Sequence, residues 1–305
     1  MFASFPLRIV SLFMSSITSF AGAFASSLPD FRQPPEQLAT PIRQHIMDAD
    51  DYARVNGIKV GIAVIDRANR GRIIWNDRGA HHQYPLAGIA HPIIAGYALR
   101  KDPQSATREA HNFSAMMSLS SNEAADRLWK TYGSQRIIED TSRRYNLQET
   151  TNNSQWGNVS MSAYDMARFY HSFLNDKNVS LGHKKFFLQL LTKSQKNVNG
   201  SDISWGLPST FNFDPTLAWK QGVWNRSAGK ILRHTTAVVY EDNVPRGVIV
   251  VLAEFPMKMG DDEASRRITE LTSLLVPKST LFSQEDAPNA QVSAWMSQQE
   301  KIWKE

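Results

Sequence analysis

Strand-like runs lie at both ends of this chain with a long helical stretch between them, and that arrangement constrains the fold more than any single motif. Ile58 to Ile65 alternates like a half-buried strand. Ile73-Ile74-Trp75 follows a short turn at Arg70-Gly71, so the pair reads as a hairpin. In the last third, Leu217 to Val223, Ile231 to Tyr240 and Gly247 to Phe255 read as three more strands. The last two are joined by Glu241-Asp242-Asn243-Val244-Pro245, a turn by its chemistry. Strands on either side of a helical insert, roughly 85 to 200, predict an α+β fold with one sheet built from both termini.

The helical segments have recognisable starts. A helix is expected over roughly 36 to 55, with Leu38, Ile42, Ile46 and Tyr52 on one face. Ser120 with Glu123 has the spacing of a capping box. Ala124, Ala125, Leu128, Trp129 and Tyr132 follow as an apolar face, and Gly133 stops the helix. Ser162 with Asp165 repeats this opening ahead of Ala163, Met166, Ala167, Tyr170 and Leu174. Between them, Asn146 to Ser160 is polar and Asn-rich and reads as a loop. Glu263 to Leu275 closes the pattern, with Ile268, Leu271 and Leu275 aligned.

The first 25 residues read as a signal peptide. Arg8 is the only charge, residues 9 to 22 are mostly apolar or small, and Ala23-Phe24-Ala25 is a cleavage signature. Five Ser and Thr residues interrupt the apolar run, which disfavours a stable span of about 20 residues. The expected location is therefore secreted or cell-envelope, with cleavage after Ala25 and no membrane span remaining after signal removal. Residues 26–35, with Pro29, Pro34 and Pro35, read as a linker, and 277–305 as a C-terminal tail. Loss of Arg8 takes the net charge from +5 to +4. The basic residues are dispersed, without aromatic interleaving, so nucleic acid is not an expected partner. The chain has no cysteine, which excludes disulfides and thiolate chemistry. Adjacent His81 and His82 cannot both face one metal from a regular element, so neither a metal nor a cofactor is expected.

Three stretches carry the functional signal. The first is the apolar run Tyr84-Pro85-Leu86-Ala87-Gly88-Ile89-Ala90-His91-Pro92-Ile93, which continues to Leu99 and reads as the start of a buried helix. The second contains Ser120-Ser121-Asn122, and the third contains Lys220-Gln221-Gly222. In order and spacing these resemble the serine β-lactamase and penicillin-binding-protein superfamily, class A type, whose motifs are S-x-x-K, S-D-N and K-T-G. The resemblance covers roughly residues 36 to 276. It implies a five-stranded antiparallel sheet with flanking helices and an inserted all-helical lobe at about 85–200.

The first motif is empty. Gly88 stands where the family has its nucleophilic serine, and His91 where it has its lysine. Pro92 is comfortable only in a first turn, so the helix is expected to start late. No residue matches the pattern around the family's deacylating glutamate; Glu149 is the nearest carboxylate and is not assigned that role. The resemblance further implies an oxyanion hole of main-chain N–H groups at Gly88 and Val223, which needs no side chain. Ser120, Asn122, Lys220 and Gly222 stand where the family holds its substrate.

The expected function is a secreted pseudoenzyme of β-lactamase-like fold. Its expected ligand is a carboxylate-bearing peptidoglycan fragment, or it has a cell-wall protein as partner. The alternative is an active serine hydrolase of the same fold with a substitute nucleophile, Ser120, activated by Lys220 or His91. A third reading is an unrelated secreted protein with chance motif matches.

Overall fold

The computed structural model describes residues 41–67, 71–198, 200–227, 229–241 and 244–276, all within one compact unit. The signal-peptide, linker and C-terminal-tail assignments lie outside the described residues.

The chain opens with helix α1 (Pro41–Val55), followed by strands β1 (Lys59–Asp66), β2 (Arg72–Trp75) and β3 (Gln83–Pro85). A run of helices follows: α2 (His91–Lys101), α3 (Ser105–Arg108), α4 (Ala110–Ser118), α5 (Asn122–Thr131) and α6 (Gln135–Tyr145). Short strands β4 (Thr150–Thr151) and β5 (Ser160–Ser162) precede α7 (Ala163–Asn175) and α8 (Leu181–Thr192). The small hairpin β6 (Asn197–Val198) and β7 (Ser201–Asp202) and the turn-length helix α9 (Leu207–Thr210) lead into three long strands. These are β8 (Leu217–Ser227), β9 (Lys230–Glu241) and β10 (Val244–Pro256), and α10 (Asp261–Leu275) ends the described chain.

The main sheet has the order β2-β1-β10-β9-β8 and every pairing is antiparallel. The first hairpin joins the last through β1 and β10, with Lys59 opposite Glu254 and Asp66 opposite Gly247. One sheet is thus made from both termini. On one face, α1 and α10 supply Ile46, Ala49, Ile268 and Leu271 to a core with Ile62, Val64, Ile249, Val251 and Phe255. On the other face, α7 packs against β1 and β10.

That double cover explains two departures from the sequence reading. Residues 60–65 of β1 are all buried rather than alternating, because helices lie on both faces of the sheet. The inserted segment is not purely helical either. It contains a three-stranded sheet of order β3-β5-β4 as well as the β6–β7 hairpin. Three-residue strands carry too little periodicity to be separated from a loop by pattern alone.

Candidate functional site

The site forms where the edge strand β8 meets the turn that precedes α2. Thr216 O accepts from Tyr240 N at 2.9 Å. In the antiparallel ladder, odd-numbered residues from 217 therefore turn their N–H and C=O away from β9 toward the free edge. Trp219 O accordingly accepts from Ser194 Oγ at 2.8 Å. Gln221 O and Val223 N–H share that open side.

Gly88 lies opposite this edge. The expected continuous helix from Tyr84 does not form: residues 83–85 belong to β3, Ala87–Ala90 make a 3-10 turn, and α2 begins at His91. Pro92 fits because it occupies the first turn of α2, where no N–H is required. A Cβ on Gly88 would stand 2.7 Å from Gln221 O, and one on Gly222 would stand 2.8 Å from Leu86 O. The two glycines let strand and turn approach more closely than any residue with a side chain allows. At Gly88, where the family resemblance implies a nucleophile, the backbone of β8 therefore fills part of the space a side chain would need.

Ser120, half-buried, and Lys220, buried, come together. Ser120 was expected to cap α5, but the cap is Ser121, whose Oγ accepts from Ala124 N at 3.2 Å. Ser120 instead adopts a left-handed backbone (φ 55°) and its Oγ meets Lys220 Nζ. Lys220 is not solvated, as an alternating edge-strand lysine would be; it is only 2% exposed. Its Nζ also donates to Met117 O at 3.0 Å and approaches Met116 O at 3.5 Å. Burial pushes its pKa down to about 7 from 10.5. Burial thus favours the neutral amine far more than in an exposed lysine. Lys220 sits behind Ser120, not in the cavity wall.

His91 is fully buried at the start of α2. Its Nδ1 lies 3.0 Å from Met116 O, a carbonyl that can only accept, so Nδ1 carries the proton. Among the described residues, no group donates to Nε2. Burial, and then the neighbouring Lys220, hold the imidazole well below its usual pKa, so it is neutral. The Trp156 ring packs 4.8 Å from it, centroid to centroid.

These groups border a cavity of about 430 Å³. Of the residues singled out from sequence, Gly88, His91, Ser120, Asn122 and Val223 line it, while Gly222 packs against Leu86 beside it. Trp156, Gly157, Ile203 and Trp224 also line it and were not anticipated. Trp224 stands two residues after the third motif, but the others come from loops whose position is set only by tertiary packing. None of the described lining residues is Asp, Glu, Lys or Arg.

Other candidates lie elsewhere. Glu149 is occupied by His81 Nδ1 at 2.7 Å and Ser162 Oγ at 2.6 Å, and does not line the cavity. His82 Nε2 meets Lys59 Nζ at 2.6 Å, so the two adjacent histidines serve different contacts. Among the described residues, no group of three or more metal-ligating side chains is assembled, and no helix is long and apolar enough to cross a membrane.

Comparison with known proteins agrees with this geometry. The putative lipoprotein LppW of Mycobacterium tuberculosis is 26% identical over 249 residues, spanning 79% of this chain and 76% of that protein; LppW of Mycobacterium bovis matches equally. Among solved structures, a β-lactamase from Xanthomonas campestris superposes with a TM-score of 0.62 at 11% identity, covering 77% of this chain and 97% of the other. An ancestral class A β-lactamase gives 0.59 at 15% identity, covering 76% and 98%. The structural likenesses establish the class A β-lactamase fold, and residues 57–278 match the model of the β-lactamase enzyme family. The chain, with its sheet from both termini and three motif positions meeting at one cavity, belongs to the β-lactamase enzyme family.

Proposed function

We propose that this protein is a non-acylating member of its family, placed in the cell envelope, that binds a cell-wall-derived ligand reversibly in the cavity above Gly88. The observation that carries this reading is the 2.7 Å approach of Gln221 O to the position of a Cβ on Gly88. Catalysis is missing a side chain, and the backbone has closed on its place, while an open cavity of about 430 Å³ is kept beside it. Main-chain N–H groups at Gly88 and Val223, together with Ser120 and Asn122, are the groups that would hold a ligand. The name of the mycobacterial relatives, putative lipoprotein, supports an envelope location. This chain has no cysteine to carry a thioether-linked lipid. Its placement would therefore rest on the signal-like N-terminal segment.

Incubation with benzylpenicillin followed by intact-mass measurement tests the reading. No adduct and no turnover of a chromogenic cephalosporin are expected, while soluble peptidoglycan fragments should change the tryptophan fluorescence. A stoichiometric penicilloyl adduct would overturn it.

One observation favours a second reading, a hydrolase with Ser120 as nucleophile. Ser120 Oγ meets an amine that burial brings to a pKa of about 7, an arrangement suited to deprotonating a hydroxyl. In that case a serine-directed fluorophosphonate would label Ser120, and Ser120→Ala would abolish the label.

A further inference from the structure

We propose that the ligand is a neutral saccharide, recognised by hydroxyl or acetamido N–H donation to His91 Nε2 and by stacking on the tryptophan walls. The inference deepens, and rests on, the binding function just proposed. It starts from charge. The cavity is lined by no ionised side chain among the described residues, and Lys220, behind Ser120, is 2% exposed. Its Nζ is already engaged by Ser120 Oγ and Met117 O. A ligand carboxylate entering here would leave water without meeting a counterion, which is costly.

Among the described lining residues, the buried polar atoms without a partner are both acceptors, His91 Nε2 and Gln221 Oε1. His91 forms part of the cavity wall, its Nδ1–H is committed to Met116 O, and its Nε2 is buried with no donor among the described residues. A buried acceptor is satisfied only by a group that brings a proton. Lys220 cannot turn toward it without giving up its own contacts. Two indoles, Trp156 and Trp224, line the same cavity, and the first is braced by an Nε1–H bond to Asp126 Oδ1 at 2.7 Å. An aromatic wall beside an orphaned acceptor suits a pyranose ring, which offers an apolar C–H face and hydroxyl donors at its rim.

The probe is the trimer of N-acetylglucosamine, titrated calorimetrically into the full chain. A stem pentapeptide ending in a free D-alanine carboxylate serves as the comparison. The sugar should bind and the peptide bind more weakly. His91→Phe keeps the ring volume but removes the acceptor, and should weaken sugar binding on the order of tenfold. His91→Gln can donate to Met116 O and still accept from a ligand, so it should stay near the parent. Thermal melts establish that each variant folds. If His91→Phe does not fold, Trp156→Ala carries the test, with loss of sugar binding expected. Peptide binding without sugar binding would overturn the saccharide assignment alone. Equal sugar affinity in His91→Phe and the parent would overturn the role of Nε2. Binding of neither ligand at millimolar concentration would overturn both the saccharide and the binding reading.

Discussion

A serine at position 88 gives the sharpest test of the structural argument. In Gly88→Ser the new Cβ would meet Gln221 O at 2.7 Å, closer than such atoms approach. Relief requires β8 to retreat, but three contacts hold it. Gly222 pairs with His234 in β9, Gly222 is packed against Leu86 O, and Lys220 is anchored on Met117 O at 3.0 Å. Overpacking a site with rigid neighbours costs ~1–3 kcal/mol. For a domain of this size, that corresponds to a fall in Tm of roughly 2–12 °C. Gly157→Ser is the matched control, because it lines the same cavity and a Cβ there meets nothing within 4 Å. Its stability should stay within ~0.5 kcal/mol of the parent. Differential scanning calorimetry of the three proteins decides the matter, with penicillin labelling run in parallel. Gly88→Ser melting with the parent, or acquiring acylation by itself, would refute the claim that the backbone has closed on the nucleophile's place.

The buried lysine predicts a pH dependence with a definite sign. Between about 7 and 10.5 the unfolded chain holds a proton on Lys220 that the folded chain has lost, so stability rises with pH across that window. The rise should be larger in the parent than in Lys220→Met, and parallel profiles in thermal melts would contradict the burial argument. For the cap, Ser121→Ala should cost ~1 kcal/mol through the lost bond to Ala124 N, measured by urea unfolding. Ser120→Ala should leave that cap intact and instead deprive Lys220 of its hydroxyl partner; in it, the pH profile rather than the start of α5 should change.

Much of the architecture was legible in the residues. Apolar runs at 58–75 and 217–255 mark the five strands, because a sheet covered on both faces demands long stretches of β-branched and aliphatic side chains. Ser162 with Asp165 marked the start of α7, since a cap is a local interaction that closes within four residues; the bond from Asp165 N to Ser162 Oγ is 3.0 Å. The same local logic failed one residue off at Ser120. There a long-range partner, Lys220, claims the hydroxyl, and Ser121 takes over the cap.

What only the tertiary structure decided lies across chain separations that pattern cannot see. The motif positions Gly88, His91, Ser120 and Lys220 were visible in the sequence, but not that β8 presses its carbonyl onto Gly88, nor that Lys220 is buried behind Ser120. A lysine on an edge strand has the same local signature whether it faces water or a helix end. Its burial, and with it the drop of its pKa to about 7, is set by α4 and the 119–121 turn folding over it. The cavity walls at Trp156 and Ile203 likewise come from loops without periodicity, placed only when the inserted lobe docks on the edge of the sheet. Local patterns determine which elements form. The depth of burial, and hence charge state and ligand chemistry, is a property of how those elements close on one another.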